Sequence, residues 1–407
     1  MDIAITPSKL HGSISVPTSK SDAHRYIIAS ALANGNTVLN DLCLASKDIQ
    51  AALGACKAIG ASLDIAESDR NNYGTVVISG AVCPHGNVKV DCVESGTTLR
   101  LIIPVAAALG VNATFIGKGK LPQRPLLPYI EQMSKYGIKF SGSGLPLTIE
   151  GRLTGGEYEL EGNISSQFIS GLLLALPKCE EDSHLKLLSP LQSKPYVDMT
   201  LNCLRNFGIQ IECGKDEYFI KGGQTYKACT HSIESDWSQA AFFCVANALG
   251  SDVDIKNMDH QSVQGDRVIY DICSRFDGRA IDVDCMDTPD IVPVLSVLAS
   301  QCKGVSYIRN ILRLRLKESD RIETVCNMIN SLGGDAKCIG EDIVIKGKRL
   351  CGGEVDACND HRIAMASAIA ATVSTGKVII KGAQCVTKSY PDFFEEYVRL
   401  GGILQQF

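Results

Sequence analysis

The chain has 407 residues, 45% apolar and 21% charged, an ordinary globular mix with enough length for two cored domains. Its net charge of −5 excludes a general basic field for nucleic acid or an anionic membrane, so any anion must be held by cations placed locally. Met1–Leu10 lacks a signal-peptide pattern, and the longest apolar stretch, Leu101–Val111, is about half of what a membrane span needs, so a cytoplasmic protein is expected.

In chain order, one pattern recurs six times: a polar cluster, an Ala/Leu/Ile-rich helix, a turn, a short β-branched run and a second amphipathic helix, often ending in Gly. The first copy starts at Ser19, with helices predicted over Tyr26–Ala33 and Asp48–Ile59 around a strand at Thr37–Leu39. The second starts at Glu94–Arg100, with helices at Leu101–Leu109 and Leu126–Tyr136. The third starts at Ser165–Gln167, with helices at Phe168–Leu176 and Val197–Phe207. The fourth starts at Asp236–Gln239, with its helix at Ala240–Leu249. The fifth starts at Thr288–Asp290, with helices at Ile291–Ser300 and Asp320–Leu332. The sixth starts at Asn359–Arg362, with helices at Ile363–Val373 and Pro391–Leu400. Spacings of roughly 50 to 75 residues are too uneven for a solenoid. They suit six α/β units, three to a lobe, with a break near Thr230.

Each polar start reads as a helix N-terminus. Asp236 with Gln239 and Asp320 with Glu323 have capping-box spacing; Thr288-Pro289-Asp290 reads as cap, Pro and first-turn acid; Ser95 and Ser165 are acceptable caps. Helix N-termini offer unpaired N–H groups and partial positive charge to anions. Lys20, Arg25, Arg100, Arg321 and Arg362 lie at these starts, where dipole logic disfavours cations by a few tenths of a kcal/mol. Repeated placement of this kind points to a small polyanionic ligand. Seventeen cysteines, an odd number without C-x-x-C spacing, read as reduced thiols, and seven dispersed His residues give no metal site.

Nine motifs carry a resemblance: Ser19-Lys20-Ser21 with Arg25; Ser95-Gly96-Thr97 with Arg100; Gln123-Arg124-Pro125; Ser165-Ser166-Gln167; Ser193-Lys194-Pro195-Tyr196; Pro289-Asp290; Lys317-Glu318-Ser319-Asp320-Arg321; Asp360-His361-Arg362; and Lys388 with Pro391-Asp392. Together and in this order the sequence resembles the 5-enolpyruvylshikimate-3-phosphate synthase family over the whole chain. The resemblance implies an α/β fold of two domains, each with three βαβαββ-type units around a pseudo-threefold axis. It implies domains of 17–230 and of 1–16 plus 231–407, with the active site in the cleft between them. It also implies transfer of enolpyruvyl from phosphoenolpyruvate to the 5-hydroxyl of shikimate 3-phosphate, without metal or cofactor, by a monomer that is a target of glyphosate.

By the same resemblance, Lys20, Gly96, Arg124, Gln167, Arg321, Arg362 and Lys388 hold phosphoenolpyruvate. Lys20, Ser21, Arg25, Ser165, Ser166, Gln167, Ser193, Asp290 and Lys317 hold shikimate 3-phosphate. Asp290 is the candidate base, and Glu318 and Lys20 are candidates for proton delivery. Planar guanidinium forks suit carboxylate and phosphate, and hydroxyls and amides suit a phosphorylated polyol. The chain departs from the family at Glu94-Ser95-Gly96-Thr97, often Asn-Ala-Gly-Thr, and at Leu101, often Pro, both on the phosphoenolpyruvate loop. Arg313 stands where some members have Asn. A sister enzyme acting on UDP-N-acetylglucosamine shares the fold, but the stretch Gly117–Arg124 lacks its reactive Cys, and Ser21 stands where it has Asn. A non-catalytic binding protein on this fold would be expected to lose Lys20, Asp290 and Glu318; all three are present.

Overall fold

A computed structural model describes residues 1–68, 72–82 and 86–407. The chain divides into two compact units: a continuous one, Thr18–Glu234, and a split one, Met1–Pro17 with Ser235–Phe407. The first 17 residues belong to the split unit because two short strands secure them. Ile3–Thr6 lies antiparallel between Val378–Lys381 and Ile403–Gln406, and His11–Ile14 runs parallel to Asp252–Ile255.

The continuous unit contains three four-stranded sheets of one design, a parallel pair followed by two antiparallel strands. In one, Val88–Asp91 pairs parallel with Ala113–Ile116, which pairs antiparallel with Leu147–Gly151, itself antiparallel to Ile138–Ser141. Parallel neighbours need a crossover, and the helix Gly96–Leu109 supplies it. Tyr73–Ser79 and Ala113–Ile116 alternate buried with half-buried residues, so each sheet turns one face to its helices.

Among the described residues the split unit has two sheets of the same design and a reduced third, in which Asp252–Ile255 pairs only with His11–Ile14. The sequence that follows, Asn257–Arg267, is polar and has no alternating β-branched run from which to build two more strands.

The first helix of each copy is apolar nearly all round and becomes an interior helix. In His361–Ala371 every residue is buried, and in Gly96–Leu109 twelve of fourteen are. Second helices such as Lys47–Ala58 and Lys194–Asn206 bury one face. Helix Gly96–Leu109 ends on Gly110 at φ 73°, the left-handed position that favours Gly. All sixteen described cysteines are free thiols, mostly buried, and burial pushes Cys56 up to about 12.

Two capping expectations need correction. The helix after Thr288-Pro289-Asp290 starts only at Val292, with Pro293 in its first turn, because residues 288–291 form a preceding turn closed by Ile291 N–H to Thr288 O. Asp290 therefore lies outside the helix, where its carboxylate meets cations. At Asp236, the carboxylate accepts from the amides of Ser238 and Gln239, but the buried Gln239 amide makes no bond back, so only half of the capping box forms.

Candidate active site

In the continuous unit, three helix starts are laced by polar side chains. Ser19 caps the helix Lys20–Ser30, Ser95 caps Gly96–Leu109, and Ser165 caps Ser166–Ala175. Between the first and second, His24 bridges Lys20 O and the hydroxyls of Thr98 and Ser95. Between the second and third, Gln167 Nε2 donates to Thr97 Oγ1 at 2.8 Å, and its Oε1 accepts from Arg100 Nη1 at 2.8 Å. The Arg100 guanidinium also covers the Phe168 ring at 5.0 Å. Between the third and first, Thr200 on the helix Lys194–Asn206 donates to Ser170 and accepts from Arg25 Nε.

The sequence-derived residues occupy this apex in different ways. Lys20 is the first residue of its helix, and its ammonium lies 3.0 Å from Asp48 Oδ2 on the neighbouring helix Lys47–Ala58. Arg25 is 2% exposed and donates to Ser21 O on its own helix and to Thr200 and Tyr196 O on the helix Lys194–Asn206, so two of its five N–H groups join two helices. Burial lowers its pKa. Gly96 lies directly beneath the Arg124 guanidinium, which a Cβ at this position would strike. The absent side chain thus lets Arg124 lie against a helix start. Ser166 is buried and Ser165 is occupied as a cap. Ser193 takes a left-handed conformation, φ 57°, and its side chain does not cap the helix that follows.

In the split unit the corresponding apex is ionic. Arg321, 1% exposed, donates from Nε to Asp360 Oδ2 at 2.8 Å, from Nη1 to Asp290 Oδ1 at 2.8 Å and from Nη2 to Glu318 Oε2 at 2.7 Å. Arg362 reaches Asp290 Oδ2 at 3.0 Å and Ser238 Oγ at 3.0 Å, and Lys317 reaches Asp290 Oδ1 at 3.3 Å. Asp360 also caps its helix by accepting from Arg362 N–H, and it accepts from Ser319 Oγ. Lys388 Nζ donates to Asn359 O at 2.7 Å, in the turn leading to Asp360. Three cations, Lys317, Arg321 and Arg362, thus face three carboxylates, Asp290, Glu318 and Asp360.

This pairing accounts for two of the cations at unfavourable helix starts, Arg321 and Arg362. Burial would raise the Asp290 carboxyl, but Arg362, Lys317 and Arg321 hold it well below the usual range. Burial lowers the Lys317 ammonium more than Asp290 raises it.

The sequence gives no site role to Asp48, His24 or Thr98, and Asp360 stands there only as part of a motif. Asp360 had a visible signal, an acid one residue before His361-Arg362 in capping position. The partnerships of Asp48 with Lys20 and of His24 with Thr98 join residues 28 and 74 positions apart and had none.

Fold and site together define a two-unit α/β protein in which helix starts and basic side chains gather at an apex in each unit, an arrangement suited to small polyanions. The family model of EPSP synthase (3-phosphoshikimate 1-carboxyvinyltransferase) matches residues 5–397, and the chain belongs to this family. It is 42% identical to the 3-phosphoshikimate 1-carboxyvinyltransferase of Clostridium perfringens, with 99% of each chain covered. It is 40% identical to that of Clostridium novyi, covering 100% of this chain and 99% of the relative. Among solved structures, EPSP synthase from Acinetobacter baumannii superposes with a TM-score of 0.81 at 26% identity, with both chains fully covered.

Proposed function

We infer that this chain transfers the enolpyruvyl group of phosphoenolpyruvate to the 5-hydroxyl of shikimate 3-phosphate and releases phosphate, a step toward chorismate and the aromatic amino acids. The observation that carries the assignment to particular residues is the gathering of Lys317, Arg321 and Arg362 on Asp290. Each substrate brings a phosphate and a carboxylate, and such a cluster is built to exchange one carboxylate partner for another.

The reading assigns phosphoenolpyruvate to Lys20, Gly96, Arg124, Gln167, Arg321, Arg362 and Lys388. It assigns shikimate 3-phosphate to Lys20, Ser21, Arg25, Ser165, Ser166, Gln167, Ser193, Asp290 and Lys317. Both sets draw on residues of both units, so neither unit alone supplies a full set. The 5-hydroxyl must lose a proton and the methylene carbon of phosphoenolpyruvate must take one up. Asp290 is the base for the hydroxyl, and Glu318 and Lys20 are the groups for delivery.

Asp290 is a weak base while three cations hold it. An anion that draws Arg321, Arg362 or Lys317 to itself raises the basicity of Asp290 as the substrates arrive. The reading takes the enzyme to be a cytoplasmic monomer. Among the described residues no helix is long and apolar enough to cross a membrane. Light scattering behind size exclusion tests the monomer.

The deciding experiment is phosphate release from phosphoenolpyruvate with shikimate 3-phosphate or with UDP-N-acetylglucosamine as acceptor. Release is expected with the first acceptor; release with the second alone would overturn the assignment.

A further inference from the structure

Of the three links that lace the apex of the continuous unit, the one through His24 involves no residue assigned to a substrate except by its backbone. The ring is fully buried in the helix Lys20–Ser30. Its Nδ1 lies 2.7 Å from Lys20 O, and its Nε2 lies 3.1 Å from Thr98 Oγ1 and 3.4 Å from Ser95 Oγ. A carbonyl can only accept, so Nδ1 carries the hydrogen and donates. Burial outweighs the opposing pull of Asp48 and pushes the imidazole down to about 4, so the ring is neutral and Nε2 keeps its lone pair.

That lone pair accepts from one hydroxyl of the pair Ser95–Thr98, whose oxygens are 2.9 Å apart: the single Thr98 hydrogen serves either Nε2 or Ser95 Oγ, and in the second case the Ser95 hydroxyl serves Nε2. Ser95 Oγ is in turn the cap of the Gly96 helix and accepts from Thr98 N–H. The imidazole therefore spans two helix starts, fixed at one end to the peptide of Lys20 and at the other to the cap next to Gly96. The other two links between helix starts do not use the imidazole: Arg25 joins the Lys20 helix to Thr200 and Tyr196, and Gln167 joins Thr97 to the Ser166 helix.

We propose that His24 is a positioning residue that sets the spacing between the Lys20 and Gly96 helix starts, and through it the fit of phosphoenolpyruvate rather than of shikimate 3-phosphate. The inference rests on the substrate assignment above. Its selectivity follows from Gly96 and Arg124 belonging to the phosphoenolpyruvate set, while Arg25 anchors the shikimate 3-phosphate side of the Lys20 helix independently of His24.

The test is steady-state phosphate release by wild type, His24→Leu, His24→Asn, Thr98→Val and the His24→Leu/Thr98→Val double variant, with each substrate varied in turn. Loss of one buried hydrogen bond sets the expected scale. His24→Leu and Thr98→Val should each raise KM for phosphoenolpyruvate about tenfold, with KM for shikimate 3-phosphate held within about twofold. The double variant should be no worse than the poorer single one, because both remove the same link. His24→Asn keeps a donor for Lys20 O and should recover part of the loss.

An unchanged KM for phosphoenolpyruvate in Thr98→Val and His24→Asn would overturn the proposal, and so would an equal rise in both KM values with a lowered melting temperature. Should His24→Leu fail to fold, those two variants decide the matter. Failure of the substrate assignment is distinguishable, because it appears as a wild-type protein inactive with shikimate 3-phosphate.

Discussion

The two apexes belong to units built from sheets of one design but are held together by different chemistry. In the continuous unit the helix starts are joined mainly through neutral groups, His24, Thr97, Thr98, Gln167, Ser170 and Thr200. In the split unit the joints are ions, with Arg321 and Arg362 shared among Asp290, Glu318 and Asp360. Neutral hydrogen bonds fix direction without adding charge, so that apex keeps its geometry whatever binds. The ionic apex is balanced only while its own carboxylates serve as partners. Under the proposed function an arriving anion competes with them, and that competition would couple binding to the basicity of Asp290.

The largest difference should appear on removing Asp360, the fully buried carboxylate of the ionic apex. Asp360→Ala strips Arg321 of its Nε partner in a place with no access to water, a loss of about 3–5 kcal/mol for a broken buried pair. Urea denaturation measures it, and a loss below about 1 kcal/mol would break the contrast.

The equivalent cut in the neutral apex is Gln167→Leu, which leaves Thr97 and Arg100 each without one bond. It should cost less, about 1–3 kcal/mol. A larger loss than in Asp360→Ala would reverse the order.

The smallest effect belongs to an ionic group away from either apex. His184 on the strand Ser183–Leu187 lies between Glu157 and Glu217, at 2.8 and 3.0 Å. Burial would lower its pKa, but bonds to Glu217 and Glu157 raise it. A raised folded value means that the stabilisation is fully present below the ordinary His value of about 6.5 and is lost as pH rises through the folded value. With Glu157 largely exposed and Glu217 half-buried, it should stay below about 1 kcal/mol. His184→Gln should therefore melt slightly below wild type at pH 5.5 and match it at pH 9. A gap that widens toward pH 9 would contradict this sign.

Much of this architecture was legible before any coordinates. The apolar runs Leu101–Leu109 and Ile363–Val373 lie within or overlap the observed helices Gly96–Leu109 and His361–Ala371, because an interior helix must be apolar on every side. The apolar runs begin after the observed starts because each helix opens with a polar first turn, Gly96-Thr97-Thr98 or His361-Arg362, and reading the polar clusters as helix N-termini places those turns correctly.

Asp290 shows the limit most clearly. Pro289 suggested a helix start, but ion pairing to Lys317, Arg321 and Arg362 outweighs local capping, and those partners lie 27 to 72 residues away. The strand ends Val90-Asp91-Cys92, Val283-Asp284-Cys285 and Val355-Asp356-Ala357 are a repeat that passed unnoticed. Each Asp carboxylate accepts from the amide two residues on, turning the chain toward the next helix start.

The central claim is that both apexes take part in one reaction, and turnover of two single variants tests it most directly. Lys20→Met in the neutral apex and Asp290→Asn in the ionic apex are each expected to lower phosphate release from phosphoenolpyruvate and shikimate 3-phosphate by on the order of a hundredfold or more. Near wild-type turnover in either variant would contradict the account.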